Sequence, residues 1–283
     1  MDHLLRELAP ISEEAWSQID TDARMRLSTY VRGRQLIDFS GPHGWDHSAV
    51  NRGGVSPVVD LPETVEPSTI ARVEAATRVV QPLAELRVPF TLSRAALDTA
   101  ARGNPGIDLD NLESAVRAIA MLENSAVAHG WPAAGIEGIV PASAHTPVQI
   151  EPATGGPDAT KAYVVAVTTA VERLGLAGVG GPYGLALGTE CWVVVLERTE
   201  SGTSLMEHLT RILDGGPIVW APGIRGGVVV SQRGGDFQFV SGQDLSIGYR
   251  ASDAESVTLY LEESFTLTIL DPTAAVALAT GVS

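Results

Sequence analysis

The sequence predicts an α+β protein in which a mainly helical first part, an α/β middle and an all-β end are joined by an extended arm. Three observations carry that expectation. Apolar residues recur three and four apart along 12–31 and 110–129, the period of a helix buried on one side. Residues 55–80 are rich in Val and Thr, hold three prolines and lack a helical period, a poor composition for a compact core. Beyond Gly215-Gly216-Pro217, short apolar runs alternate with turn residues and close in one long run, Val257–Leu270, where an ordinary strand has about five or six residues.

The elements follow in order. Ser12 is an N-cap candidate, with Glu13 and Glu14 in the first turn where negative charge suits the helix dipole. Trp16, Ile19, Ala23, Leu27, Tyr30 and Val31 form one apolar face, and Gly33 is placed to stop the helix. Arg34–Phe39 reads as a short strand, 41–54 as loop, and 85–92 as an alternating strand that Pro89 assigns to an edge or bulge. Ser93 starts a short helix to about Ala101. Asp110 caps a long one whose stripe is Leu112, Ala115, Val116, Ile119, Ala120 and Val127. A helix over 158–174, a Gly-rich turn, a strand at 183–187 and helices near 190–196 and 204–213 make 135–216 an α/β block. Strands are expected at 218–221, 227–231, 236–240, 245–249 and 257–270.

Charge and composition exclude several roles. The chain has 283 residues, with 34 acidic against 19 basic side chains and a net charge of −15. Lys161 is its one lysine, and no basic run exists to form a nucleic-acid or anionic-membrane footprint. A mean hydropathy of +0.13 is high beside that acidity and is enough apolar material for a large core. Met1-Asp2-His3 lacks the basic start of a signal peptide. The least charged stretch, 175–196, is interrupted by glycines and Pro182, unlike a membrane helix. Cys191 is the sole cysteine, which leaves no intrachain disulfide and suits a reducing cytoplasm.

No catalytic set emerges. The cluster Gly175–Pro182 follows a helix and opens a strand, the reverse of a dinucleotide fingerprint, and lacks the Gly-Lys-Ser/Thr of a P-loop. His43, Asp46 and His47 are close but without a third ligand nearby. Cys191, followed by Trp192-Val193-Val194-Val195, reads as a buried inert thiol. Arg233-Gly234-Gly235-Asp236 has the composition of a turn. The residues give no catalytic, metal or cofactor site.

A set of segments resembles the encapsulin shell proteins, once labelled linocin-type bacteriocins. They are Leu4–Ser12 with Trp16, Gly33-Arg34, Gly41–Trp45, Leu86–Leu92, His129–Ile139, Gly181-Pro182-Tyr183, Arg233–Phe237 and Gln243–Tyr249. They span nearly the whole chain in family order; 142–156 and 189–202 look less typical. The resemblance implies an HK97-type capsid fold. It would comprise an N-terminal helix and first part of a peripheral domain (1–54), an E-loop (55–80), peripheral domain with spine helix (81–134), axial domain (135–216) and peripheral C-terminal strands (217–283). It further implies a non-enzymatic, self-assembling icosahedral shell, commonly of sixty subunits, in the cytoplasm. Such a shell would package a dye-decolourising peroxidase or ferritin-like enzyme through a short targeting peptide. Matching positions for that peptide are Leu27, Tyr30, Val31, Arg34 and Asp38, with Phe239 and Ile247 on strands. Gly178, Val179, Gly180 and Gly181 are candidates for a pore border, where glycine lets backbones approach closely. A viral major capsid protein of the same fold and a secreted bacteriocin or protease are the alternatives. The first would favour a basic lumen and the second an export signal or catalytic set, and the sequence offers neither.

Overall fold

A computed structural model describes residues 3–57, 75–104, 106–150, 157–200 and 203–281. Its α-helices are α1 (Glu13–Tyr30), α2 (Arg94–Ala101), α3 (Asp110–His129), α4 (Ile139–Ala142), α5 (Pro157–Leu176), α6 (Thr189–Glu197) and α7 (Leu205–Ile212). Its strands are β1 (Asp38–Ser40), β2 (Ala49–Pro57), β3 (Ala76–Pro82), β4 (Ala84–Ser93), β5 (Val148–Ile150), β6 (Tyr183–Leu187), β7 (Thr199–Glu200), β8 (Thr203–Ser204), β9 (Ile218–Trp220), β10 (Gly227–Ser231), β11 (Phe237–Ser241), β12 (Ser246–Ser252), β13 (Ser256–Ile269) and β14 (Ala275–Thr280).

The length of β13 follows from its neighbours. One edge pairs with β4 from Ser256 opposite Ser93 to Phe265 opposite Ala84. The other edge serves two strands in turn, β12 over the first half and β11 over the second. A strand flanked by two partners end to end must be as long as both. β1 adds to β11 in parallel register, Phe39 beside Phe239. Pro89 lies on β4, which among the described residues pairs only with β13, so the proline sits on an edge strand as its missing N–H requires. The six residues expected on the α3 stripe are all buried, and α3 packs on α1, β4 and the 3-10 turn Gly33–Leu36.

The second sheet runs β5-β14-β10-β6-β9, with α5 laid against β5, β10 and β14. Every residue of β6 and β10 is buried. The strands beyond 217 therefore divide between the sheets: β11, β12 and β13 join the first, whereas β9, β10 and β14 complete the sheet begun by β5 and β6. An alternating or apolar pattern marks a strand but not its partner, so the boundary expected at 216/217 does not separate the two sheets.

β2 and β3 pair antiparallel as a hairpin whose outer residues are exposed, Val55 and Val80 at 67% and 55%. Near its base Gln81 Nε2 anchors it to Thr266 Oγ1 (3.0 Å) and the Leu267 carbonyl (2.6 Å). Residues 58–74 of the expected arm lie outside the described residues.

Local corrections have local reasons. Ser12 Oγ accepts the Ala15 N–H (3.3 Å) as expected. At α3 it is the Asp108 carboxylate that accepts the Asp110 N–H (3.0 Å), so Asp110 is the first helical residue and not the cap. Ser93 occupies the N-cap of α2 without a side-chain bond. The strand expected from Arg34 begins only at Asp38, because Gly33–Leu36 coil into a 3-10 turn.

Candidate functional site

Of the residues singled out at 27–38, Leu27, Tyr30 and Val31 lie at the end of α1, Arg34 in the 3-10 turn that follows and Asp38 on β1. The buried side chains Ala15, Ile19 and Ala23 of α1 seat the helix. Leu27 and Tyr30, further along, are only partly buried against the core. The helix stops at Tyr30; the Val31 N–H still reaches the Leu27 carbonyl (2.9 Å) while its own backbone is extended. What holds this end is Asn124 of α3, fully buried and four-fold bonded. Its Oδ1 accepts from Gly33 (2.8 Å) and Arg32 (3.2 Å), and its Nδ2 donates to the carbonyls of Tyr30 (2.8 Å) and Pro222 (3.0 Å). A buried side-chain amide can satisfy all these groups at once. Gly33 is thus required by close approach, since a Cβ there would lie 3.1 Å from Asn124 Oδ1, and it is not the left-handed helix stop that was expected.

Tyr30 hydroxyl accepts from Arg117 (3.1 Å) and donates toward Glu113 Oε1 (3.4 Å), and its ring meets Trp220 edge-on. Arg26 bridges Asp22 and Glu113 on the same side. The half-exposed rim of α1 and α3 is therefore a mixed surface of apolar rings and paired charges.

Arg34 is drawn inward. Its Nε donates to Glu123 Oε1 (3.0 Å) and its Nη1 to Asp244 Oδ1 (2.7 Å), while Nη2 meets both Glu123 Oε2 and Glu263 Oε1. The guanidinium lies 4.4 Å from the Phe239 ring centre, a cation–π contact. Burial opposes its charge, but Glu123, Glu263 and Asp244 outweigh that and hold its pKa above the ordinary arginine value. Asp38 accepts the Gly235 N–H at 2.5 Å, and Gln232 Nε2 donates to the Leu36 carbonyl (2.8 Å). Arg233 in turn clamps Asp236 (3.0 and 2.7 Å) and Asp271 (2.6 Å), so Arg233–Asp236 is a fixed turn with Gly234 and Gly235 at φ +80°.

The structure thus brings Arg34, Asp38 and Phe239 together around β1 and β11. Phe239 is fully buried, stacked between Phe39 (5.8 Å) and Phe265 (4.9 Å), and Val31 and Ile247 are buried as well. Phe39, which the sequence reading passed over, is 44% exposed above Phe239. Strand alternation was the available signal, because parallel pairing of β1 with β11 sets Phe39 beside Phe239. Glu123, Asn124 and Glu263 were missed too; polar residues at apolar stripe or strand positions were their signal.

The remaining candidates are placed as follows. In the turn after α5, Gly178, Gly180 and Gly181 are exposed and Val179 is buried. Tyr183 hydroxyl donates to the Val179 carbonyl (2.8 Å) and Ser231 hydroxyl to that of Gly180 (2.7 Å), with Leu176 protruding beside them. Cys191 is buried against Tyr163; burial raises its pKa despite that hydrogen bond, leaving an unreactive thiol. His43 bonds Ser40 Oγ (3.0 Å) and lies ring to ring with His47; among the described residues no group of three ligating side chains gathers. No helix among them is long and apolar enough to cross a membrane.

Comparison with known proteins agrees with this architecture. Residues 1–266 match the family model Linocin_M18, described as encapsulating protein for peroxidase. A type 1 encapsulin shell protein of Rhodospirillum rubrum is 43% identical over 279 residues, covering 98% of this chain and 96% of its own. One from Brevibacterium linens is 41% identical, covering 99% and 100%. The fold is shared with the crystal structure of a virus-like particle from Pyrococcus furiosus, at a TM-score of 0.59 and 14% identity over 92% of this chain and 97% of that one. The chain has the HK97-type capsid fold and belongs to the encapsulin family of self-assembling shell proteins.

Proposed function

We propose that sixty copies of this chain close into an icosahedral cytoplasmic shell that packages a peroxidase or ferritin-like enzyme carrying a short targeting peptide. The observation that carries this reading is the β2–β3 hairpin. It exposes Val55, Val79 and Val80 to solvent in the single chain, and an apolar two-stranded arm of that kind is stable only when another surface covers it. A neighbouring subunit is the surface available at every position of a closed shell. In this reading β2, β3 and the residues between them are the E-loop, the β13 sheet with α1 and α3 is the peripheral domain, and the β10 sheet with α5 is the axial domain.

The cargo peptide docks at the end of α1, where Leu27 and Tyr30 offer apolar surface and Asp38 a carboxylate. Phe39 replaces Phe239 as the aromatic contact in this proposal, since Phe239 lies beneath it. Arg34 supports the site from below, its guanidinium engaged by three acids. An extended peptide with spaced apolar anchors needs such a shallow surface with a flanking charge. The Gly178–Gly181 turn borders a pore for small substrates, its exposed glycines allowing close approach about an axis. A phage capsid shares the fold, but the similar chains of known role are shell proteins and the chain carries no basic footprint.

Co-expression of Leu27→Asp and Phe39→Asp variants with the native cargo tests the docking site. Intact shells with at least about tenfold less cargo are expected, as loss of one apolar anchor costs roughly 1.5–3 kcal/mol. Undiminished loading of intact shells by both variants contradicts the site.

A further inference from the structure

We propose that Glu263, buried beside Glu123 beneath Arg34, holds a proton at neutral pH, and that this makes the folded subunit sensitive to alkali. The cluster joins four elements: Glu123 comes from α3, Glu263 from β13, Arg34 from the turn leading into β1, and Asp244 from the loop between β11 and β12.

Charge balance carries the argument. Arg34 Nη2 meets both Glu123 and Glu263, and its Nη1 meets Asp244. Asp244 is 44% exposed and solvated, whereas Glu123 and Glu263 are fully buried. One guanidinium balances one buried carboxylate. Arg34 engages both oxygens of Glu123 and only one of Glu263; a second carboxylate ionised beside the first in a dry interior is an uncompensated charge, so Glu263 keeps its proton.

The bonding of Glu263 agrees. Its Oε1 accepts from Arg34, but its Oε2 receives no hydrogen bond from any protein donor among the described residues. The adjacent Glu262 offers the contrast: His3 (2.9 Å) and Arg87 (2.5 Å) each hold one of its oxygens, so neither oxygen is without a partner. Opposite Glu263 on β4 stands Leu86, which offers no charge. Burial first, then the Glu123 charge and the proximity of its carboxyl, raise Glu263 well above the ordinary carboxylate range; Asp244 adds to this, and Arg34 opposes it without prevailing.

The sign of the pH effect follows. In the unfolded chain Glu263 ionises near its ordinary value of 4.5; in the folded subunit it keeps its proton to higher pH. Folding thus takes up a proton in that window, and stability, complete below the unfolded value, is lost as pH climbs toward the folded one.

The test compares assembled wild-type shells with Glu263→Gln shells, the amide reproducing the neutral acid. Between pH 5 and 10, the wild-type folded-to-unfolded ratio, taken from unfolding midpoints, falls relative to the variant by up to about tenfold per pH unit until Glu263 ionises. Infrared spectra of wild-type shells supply an independent reading. At neutral pH they show the carbonyl band of a buried protonated carboxylic acid, which disappears in alkali and is missing from both Glu263→Gln and Glu123→Gln. A flat difference between wild type and Glu263→Gln across the range overturns the proposal. So does a neutral-pH wild-type spectrum without that band, a result that stands even if neither variant folds.

Discussion

Asn124→Ala is the most informative single change in the core. The side chain sits at 0% exposure and serves two N–H groups (Arg32, Gly33) and two carbonyls (Tyr30, Pro222). Each such bond contributes about 0.5–1.5 kcal/mol net, and an unsatisfied buried group costs somewhat more. Water entering the space left behind restores part of the loss, so the four together amount to about 4 kcal/mol. At roughly 2 °C per kcal/mol for a chain of this size, the unfolding midpoint drops by about 8 °C. Thermal unfolding of assembled protein, followed by tryptophan fluorescence at fixed concentration and scan rate, measures it. Asn124→Asp separates the donors from the acceptors. It keeps the bonds to Arg32 and Gly33 but turns a carboxylate toward two carbonyls, and it falls at least as far as the alanine variant. A drop under about 2 °C for Asn124→Ala refutes the reasoning that one amide fastens α1, α3 and the loop before β10.

Two further outcomes are expected. His129 Nε2 accepts the Arg225 N–H at 2.9 Å, and burial with the Arg225 charge lowers its pKa. Stability is therefore complete above the ordinary histidine value and is lost as pH falls toward the folded one; midpoints measured from pH 7 to 5 decline in wild type and more weakly in His129→Gln. Val80→Asp, at the exposed hairpin, leaves the circular dichroism of the subunit unchanged and abolishes assembly on a sizing column if the hairpin is a subunit contact.

Local periodicity made much of the fold readable. The bounds of α3 follow from a stripe at helical spacing, and the edge position of β4 follows from Pro89. What could not be read depends on partners far along the chain. Gly33 resembles a helix stop until Asn124, 91 positions away, is seen against it. Arg34 reads as the start of a strand until Glu263, 229 positions away, is seen to hold it. Sheet membership of β9, β10 and β14 is likewise a long-range choice, since an apolar run satisfies either sheet. For the proposed site, the sequence reading named residues of β1 and β11 but not which ring lies on top: Phe39 and Phe239 share a register, and only packing decides that the second is covered.

The acidity and the apolar excess belong to one assembled object. Each copy carries −15, so under the proposed assembly a closed shell would repel its neighbours in solution while its seams would bury the exposed valines. The most direct measurement is size-exclusion chromatography of the purified full chain with negative-stain microscopy of the leading peak. Sixty copies of a 29.7 kDa chain predict hollow, uniform particles of about 1.8 MDa. A single included peak near 30 kDa, with no particles on the grid, contradicts the account.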